Sequence, residues 1–227
     1  MNRRNFFTNL SAGAALPAAA MLLNKPAPAE LASVVDRSKL NNANVVVRAV
    51  GMGRSNIPNV PVTSQTGRKY HFYNDLVKDK IVMINFFYAE CTGICPRMTS
   101  NLLKVQKALA DQMGEGIFIY SVSLKPEQDS PKNLKAYAEM HGIKPGSGWL
   151  LLNAARADME TLRERLGFKD SDPALDANVD EHTGILRFGT DLYDHWSGYP
   201  LLGKAETIAE MVRQLDPKLP RRPLFPV

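Results

Sequence analysis

Cysteine is scarce in this chain, whose 227 residues include only two, Cys91 and Cys95. Two cysteines exclude a disulfide-dense scaffold and leave room for a single thiol pair. Long hydrophobic runs are also missing, since no stretch reaches the roughly 20 apolar residues of a membrane-spanning helix. The excess of positive charge is small, with 28 Lys and Arg against 23 Asp and Glu. These features argue against a membrane bundle and a nucleic-acid-binding protein, and they fit one ordinary globular domain.

The first 29 residues contain no acidic residue and have the order of an export signal. Arg3 and Arg4 precede an apolar run over residues 10–23, and the small residues Ala27-Pro28-Ala29 follow it. This order predicts a signal peptide over residues 1–29, and the paired arginines resemble a twin-arginine leader. We therefore expect a cleaved, periplasmic or otherwise extracytoplasmic protein. An uncleaved membrane anchor is the alternative.

The remainder of the chain alternates strand-type and helix-type patterns. Residues 30–44 are predicted to be a linker, residues 45–216 one domain and residues 217–227 a Pro-rich tail. The predicted elements are a hairpin of strands 60–63 and 69–73, a central strand 81–88, a helix 95–113, a strand 117–122, a helix 131–141, a strand 149–152, a helix 155–166, a hairpin of strands 185–188 and 193–196, and a helix 205–215. This order predicts an α/β protein with a thioredoxin-like fold, in which helices flank a mixed central sheet and a β-hairpin comes first.

The two cysteines lie where the predicted strand 81–88 ends and a helix begins, in the stretch Cys91-Thr92-Gly93-Ile94-Cys95-Pro96. Ligands gather at such places in open α/β sheets. The unpaired N–H groups of a helix N-terminus favour thiolate over thiol, and Arg97 adds a positive charge. Two thiolates here can close a disulfide or jointly bind a soft metal ion. A static disulfide and a pair of buried small residues are the structural alternatives.

The spacing of the cysteines separates this chain from thioredoxin-type reductases, which have two residues between the cysteines and a proline before the penultimate strand. Here three residues intervene, and the stretch before Ile185 contains His182 and no proline. That loop faces the cysteine turn in a thioredoxin-like fold, so His182 is a candidate third ligand. Two sulfurs and an imidazole suit Cu(I) and, with a fourth ligand, Cu(II). His195 is an alternative ligand, whereas His71 and His141 are interpreted as structural.

Several segments together resemble the Sco/SenC family of thioredoxin-like copper-binding proteins, which take part in the assembly of cytochrome oxidase. The similar segments are the strand 81–88, the turn Cys91–Pro96, the loop Ser121–Pro131, the helix 133–141 and Val179-Asp180-Glu181-His182. The resemblance covers about residues 57–216. It implies that Cys91, Cys95 and His182 bind copper. It also implies delivery of copper to, or reduction of the thiols of, the dinuclear copper site of a respiratory oxidase.

Three positions depart from the family pattern. No acidic residue stands between the cysteines, the stretch Ser123-Leu124-Lys125-Pro126 stands where the family usually has Val-Asp-Pro, and Glu181 is an extra residue before His182. The expected partners are an apo copper protein, such as a respiratory oxidase subunit, and a thiol reductant, with no nucleic acid. The alternative function is an exported thiol:disulfide oxidoreductase that uses Cys91 and Cys95 as a redox pair. A peroxidase of related fold is a weaker hypothesis.

Overall fold

The computed structural model describes residues 57–169, 172, 176, 184–216 and 218. All of them belong to the second of the two units into which the chain divides, residues 47–227. The predicted signal peptide and linker, the Pro-rich tail apart from Lys218, and His182 lie outside these residues. Within the described ranges, no helix has the length and apolar character needed to cross a membrane.

The described part of the chain forms one mixed seven-stranded sheet. Its strands are β1 (Pro61–Ser64), β2 (Lys69–His71), β3 (Ile81–Phe87), β4 (Ile117–Ser123), β5 (Trp149–Ala154), β6 (Ile185–Thr190) and β7 (His195–Pro200). They lie in the order β2-β1-β5-β4-β3-β6-β7. The β3–β4 and β4–β5 pairs are parallel, and the other pairs are antiparallel. β4 therefore occupies the centre, so the prediction of β3 as central strand is wrong. Every residue of β3 is nonetheless buried, as expected for a strand covered on both faces.

Helices cover both faces of the sheet, as the alternation of elements predicts. They are α1 (Cys95–Ala108), α2 (Pro131–His141), α3 (Arg156–Arg165) and α4 (Ala205–Arg213). Apolar side chains of α1, α2 and α4 pack in one core, and those of α3 and a π-helical turn, Phe72–Val77, pack in a second core. Because α1 follows β3 directly, its N-terminus lies at the carboxyl end of a buried strand, where the cysteines are.

The bounds of α2 agree with the prediction because its end signals are local. Ser130 Oγ accepts a hydrogen bond from the N–H of Asn133 at 3.3 Å, and Pro131 occupies the first turn. Gly142 follows the last residue with φ of 75°, the left-handed conformation that glycine adopts without strain. These signals lie within a few residues of each helix end.

Other predicted bounds are wrong where contacts distant in sequence intervene. The predicted strand 69–73 stops at His71, and a π-helical turn follows in which Asn59 Oδ1 accepts the N–H of Asn74 at 2.9 Å. The predicted helix 95–113 ends at Ala108. The second hairpin turns at residues 191–194, later than predicted, so β7 begins at His195.

Candidate functional site

The two thiols lie where the sequence predicts, between β3 and α1. Cys91 is in the connecting loop, and Cys95 is the first residue of α1, with Pro96 next to it. Neither cysteine forms a disulfide, and the two residues are 6% and 0% exposed. The preceding Ile94 offers no capping side chain to the helix. The first-turn N–H groups therefore remain available to stabilise negative charge at the sulfurs.

The two thiols differ in acidity. Burial disfavours the thiolate of Cys91, but hydrogen bonds from Cys95, from the Gly93 backbone and from the Tyr88 side chain outweigh it, so the pKa of Cys91 lies below its ordinary value. Burial raises the pKa of Cys95 to about 12, and the hydrogen bond to Cys91 together with the charge of Cys91 adds to the effect. Cys91 therefore loses its proton more readily than Cys95, which keeps its proton at neutral pH.

An aromatic ring and a lysine lie beside Cys91. Tyr88 hydrogen-bonds the Cys91 thiol through its side chain, and its carbonyl oxygen accepts the N–H of Cys91 at 3.3 Å. The Lys125 ammonium lies 3.8 Å from the centroid of the Tyr88 ring, within cation–π range. Lys125, which lies in the stretch that departs from the family's Val-Asp-Pro, thus places a cation against the residue that hydrogen-bonds Cys91.

A buried pair of hydroxyl groups lies about one turn of α1 beyond Cys95. Thr99, four residues further along α1, hydrogen-bonds Tyr137 of α2 through their hydroxyl groups at 2.7 Å. Burial raises the pKa of Tyr137 to about 12, and the neighbouring charges of the cysteines contribute, so this phenol stays neutral. The His141 ring packs on Tyr137 with centroids 4.3 Å apart. The ring of His141 therefore takes part in the packing of α2.

Gly184 lies against the first turn of α1. A Cβ on Gly184 would lie 3.0 Å from Ile94 Cδ1 and 3.8 Å from Met98 Sδ. Its carbonyl oxygen accepts a hydrogen bond from the N–H of Leu201 at 2.8 Å, which fixes it from the other side. The close approach to Ile94 and the φ of 56° both favour glycine at this position. The start of β6 is therefore packed directly beside the cysteine turn.

His195 lies at the far end of the sheet from the thiols. It pairs with Thr190, which pairs with Ile81 at the start of β3, whereas Cys91 follows the end of that strand. Seven strand residues span about 20 Å, so His195 is not an alternative ligand for an ion held by the cysteines. Across the described ranges, no group of three or more His, Cys, Asp or Glu side chains is arranged to hold a metal ion.

A family model for SCO1/SenC matches residues 62–164, the part of the chain that contains both cysteines, most of β1 and the whole of β2, β3, β4 and β5. Over these residues, which are less than half of the 227-residue chain, the sequence is similar to the SCO1/SenC family. The match ends before β6, and so it does not include His182.

Among individual proteins, this chain is similar to a SCO1 protein homolog of Bacillus subtilis (strain 168). The two are 27% identical over 100 residues, which is 44% of this chain and 51% of that protein. The matched stretch therefore spans about half the length of the curated relative.

Two solved structures share the fold of this chain. Bradyrhizobium japonicum ScoI with copper bound has a TM-score of 0.55 and 19% identity, over 69% of this chain and 96% of that one. BsSco, described as a member of the Sco family of cytochrome c oxidase assembly proteins with a disulfide switch, has a TM-score of 0.57 and 20% identity, over 70% and 92%. The sequence-based prediction of a thioredoxin-like fold is thereby confirmed.

The roles of individual residues remain predictions at this point. The structure brings Cys91 and Cys95 together, and His182 lies outside the described residues. Sequence reasoning missed Tyr88, Thr99 and Tyr137 as neighbours of the thiols. The aromatic end of β3 is the one signal for Tyr88, because a residue directly after a buried strand lies at the same sheet edge as the cysteines.

Proposed function

We propose that this protein is a copper metallochaperone that binds one copper ion through the thiolates of Cys91 and Cys95 and the imidazole of His182. The observation that carries the proposal is the buried, mutually hydrogen-bonded thiol pair at the N-terminus of α1. Two thiolates are soft ligands that select Cu(I) over hard cations. Bradyrhizobium ScoI, which shares the fold, binds copper, which supports the same cargo here.

The placement of Gly184 supports His182 as the nitrogen ligand. Gly184 packs on Ile94, the residue directly before Cys95. His182 is two residues before Gly184, and two peptide units span at most about 7 Å. This short connection to a residue beside the cysteine turn supports the assignment of His182 as the nitrogen ligand. With this imidazole, the thiol pair would offer copper three ligands, two of them sulfur.

The proposed recipient is an apo copper protein, such as a subunit of a respiratory oxidase. BsSco belongs to the cytochrome c oxidase assembly proteins, and this chain shares its fold. Transfer by ligand exchange needs a site that a partner's ligands can reach. The flanking Thr92 and Gly93 are exposed, so a partner has access from the side of the three-residue spacer.

Titration of the reduced full-length protein with Cu(I), against a competing chelator, tests the proposal. We expect one equivalent to bind. The apparent affinity should rise with pH, because copper must displace the proton of Cys95, whose pKa is about 12. Release of that single proton raises the apparent Cu(I) affinity by about tenfold per pH unit. Failure of the reduced protein to retain copper against the chelator would end the proposal.

The different acidities of the Cys91 and Cys95 thiols favour a second function, which is reduction of a partner's disulfide. The Cys91 thiolate would attack the partner's disulfide, forming a mixed disulfide and releasing one partner thiolate. Cys95 would then lose its proton and attack the Cys91 sulfur, which forms the Cys91–Cys95 disulfide and releases the second partner thiolate. The partner gains two electrons and two protons, and a thiol reductant must restore the pair. Both functions use the same two sulfurs.

We further propose that residues 1–29 export the protein and are then removed. The paired Arg3 and Arg4, the apolar run and the Ala27-Pro28-Ala29 triplet support this assignment. Residues 30–44 would then form the linker to the domain, outside the cytoplasm. The intact mass of the exported protein distinguishes a chain beginning near Glu30 from one that keeps its leader as a membrane anchor.

A further inference from the structure

A buried carboxyl group, that of Asp129, contacts the loop that carries Cys91. Asp129 lies between β4 and α2 and is 2% exposed. The N–H of Ala89, two residues before Cys91, donates a hydrogen bond to Asp129 Oδ2 at 3.1 Å. Ser123 Oγ, at the end of β4, donates to the same oxygen at 2.5 Å. The carboxyl group therefore joins the backbone of the cysteine loop to the end of the central strand.

The segment that carries Asp129 is fixed on two sides. Asn153 of β5 donates hydrogen bonds through Nδ2 to the carbonyl oxygens of Asp129 at 2.5 Å and Pro126 at 2.8 Å. On the other side, the N–H of Leu124 donates to the carbonyl oxygen of Phe87, the last residue of β3, at 2.8 Å. Because β3 and β5 hold this segment from both sides, Asp129 is a rigid point of attachment for the cysteine loop.

We propose that Asp129 is a positioning residue for the cysteine pair. Its carboxyl group fixes the backbone at Ala89 and so keeps Cys91 where it and Cys95 can bind one soft ion together. The three-residue spacer, which includes Gly93, would otherwise allow many separations of the two sulfurs. Groups that orient metal ligands typically change metal affinity by about 10–100-fold when removed. This inference rests on the proposed copper function.

The chain contains a matched control for Asp129. Asp191 is equally buried, at 1% exposed, and likewise accepts one backbone N–H and one hydroxyl. These donors are the N–H of Asp79 at 2.9 Å and the Tyr73 hydroxyl at 3.0 Å. Asp191 directly follows Thr190, which pairs with the first residue of β3, so it lies at the opposite end of that strand from Cys91. Loss of either carboxyl group costs fold stability, but only Asp129 acts on the thiols.

Cu(I) affinity of the reduced full-length protein, measured against a competing chelator, tests the inference. Asp129→Ala should lower the affinity by about 10–100-fold. Asp191→Ala should leave it unchanged within error, although both variants should melt at a lower temperature. Asp129→Asn keeps an acceptor oxygen for the Ala89 N–H and should restore most of the affinity. An unaltered affinity in Asp129→Ala, or an equal loss in Asp191→Ala, overturns the inference.

Amide hydrogen exchange of the copper-free reduced protein provides a second readout. Asp129→Ala should remove the protection of the Ala89 N–H, and Asp191→Ala should not. If Asp129→Ala fails to fold, Ser123→Ala provides a milder variant. It removes the hydroxyl that donates to the carboxyl group and also accepts the N–H of Lys125 at 3.0 Å, and it should cause a smaller loss of copper affinity. No loss in that variant also overturns the inference. If the wild-type protein itself binds no copper, the proposed function fails, and exchange at Ala89 still reports whether Asp129 anchors the loop.

Discussion

Replacement of Cys91 by serine is expected to abolish stoichiometric Cu(I) binding by the reduced protein. A serine hydroxyl is a hard, neutral oxygen and cannot replace a soft thiolate. The loss should exceed the 100-fold upper end of what removal of an orienting neighbour costs. Chelator competition measures it, and the melting temperature of the variant shows that the fold persists. Retention of one equivalent at wild-type affinity would contradict the assignment of Cys91.

Cys95→Ser is the matched variant, and it separates the two proposed functions. As a copper ligand, Cys95 is needed as much as Cys91, so both serine variants should lose the ion. In disulfide reduction the roles differ, because Cys91 attacks and Cys95 resolves. Cys95→Ser should then accumulate a mixed disulfide with a disulfide-bonded substrate protein, and Cys91→Ser should form none. If both variants lose copper and neither forms a mixed disulfide, the results favour the copper-chaperone function alone.

The parts of the fold that the sequence predicts well are those with local signals. Ser130, Pro131 and Gly142 mark both ends of α2, and the continuous apolar run of β3 marks a strand buried on both faces. The strand predicted over residues 69–73 fails because aromatic residues suit a strand and a packed turn equally. There the Asn59 side chain, 15 residues away, stabilises the turn.

The same distinction applies to the site. The stretch from Cys91 to Cys95 predicts a thiol pair because strand end, cysteines and helix start are contiguous in sequence. The hydrogen bond from Ala89 to Asp129 joins residues 40 positions apart, and the Thr99–Tyr137 bond joins residues 38 apart. No local sequence pattern predicts either hydrogen bond, since each depends on how β4 and α2 pack beside β3 and α1. Sequence patterns therefore locate the reactive atoms but not the groups that orient them.

His182→Ala is expected to weaken copper binding while leaving the two thiols intact. Loss of the nitrogen ligand should lower Cu(II) affinity more than Cu(I) affinity, because two thiolates alone can still hold Cu(I) in linear coordination, whereas Cu(II) prefers four ligands that include nitrogen. Titration of the reduced variant with each oxidation state, by chelator competition for Cu(I) and by the thiolate-to-copper absorption band for Cu(II), measures the difference.

The control for His182→Ala is His195→Ala. Both substitutions remove one imidazole from the chain, but His195 pairs with Thr190 at the opposite end of β3 from the cysteines. His195→Ala should therefore bind both oxidation states as the wild type does. If His182→Ala also binds both oxidation states as the wild type does, neither imidazole is a copper ligand. The protein would then be better described as a thiol:disulfide oxidoreductase, because the unequal acidities of Cys91 and Cys95 would remain while the copper site would have no nitrogen ligand.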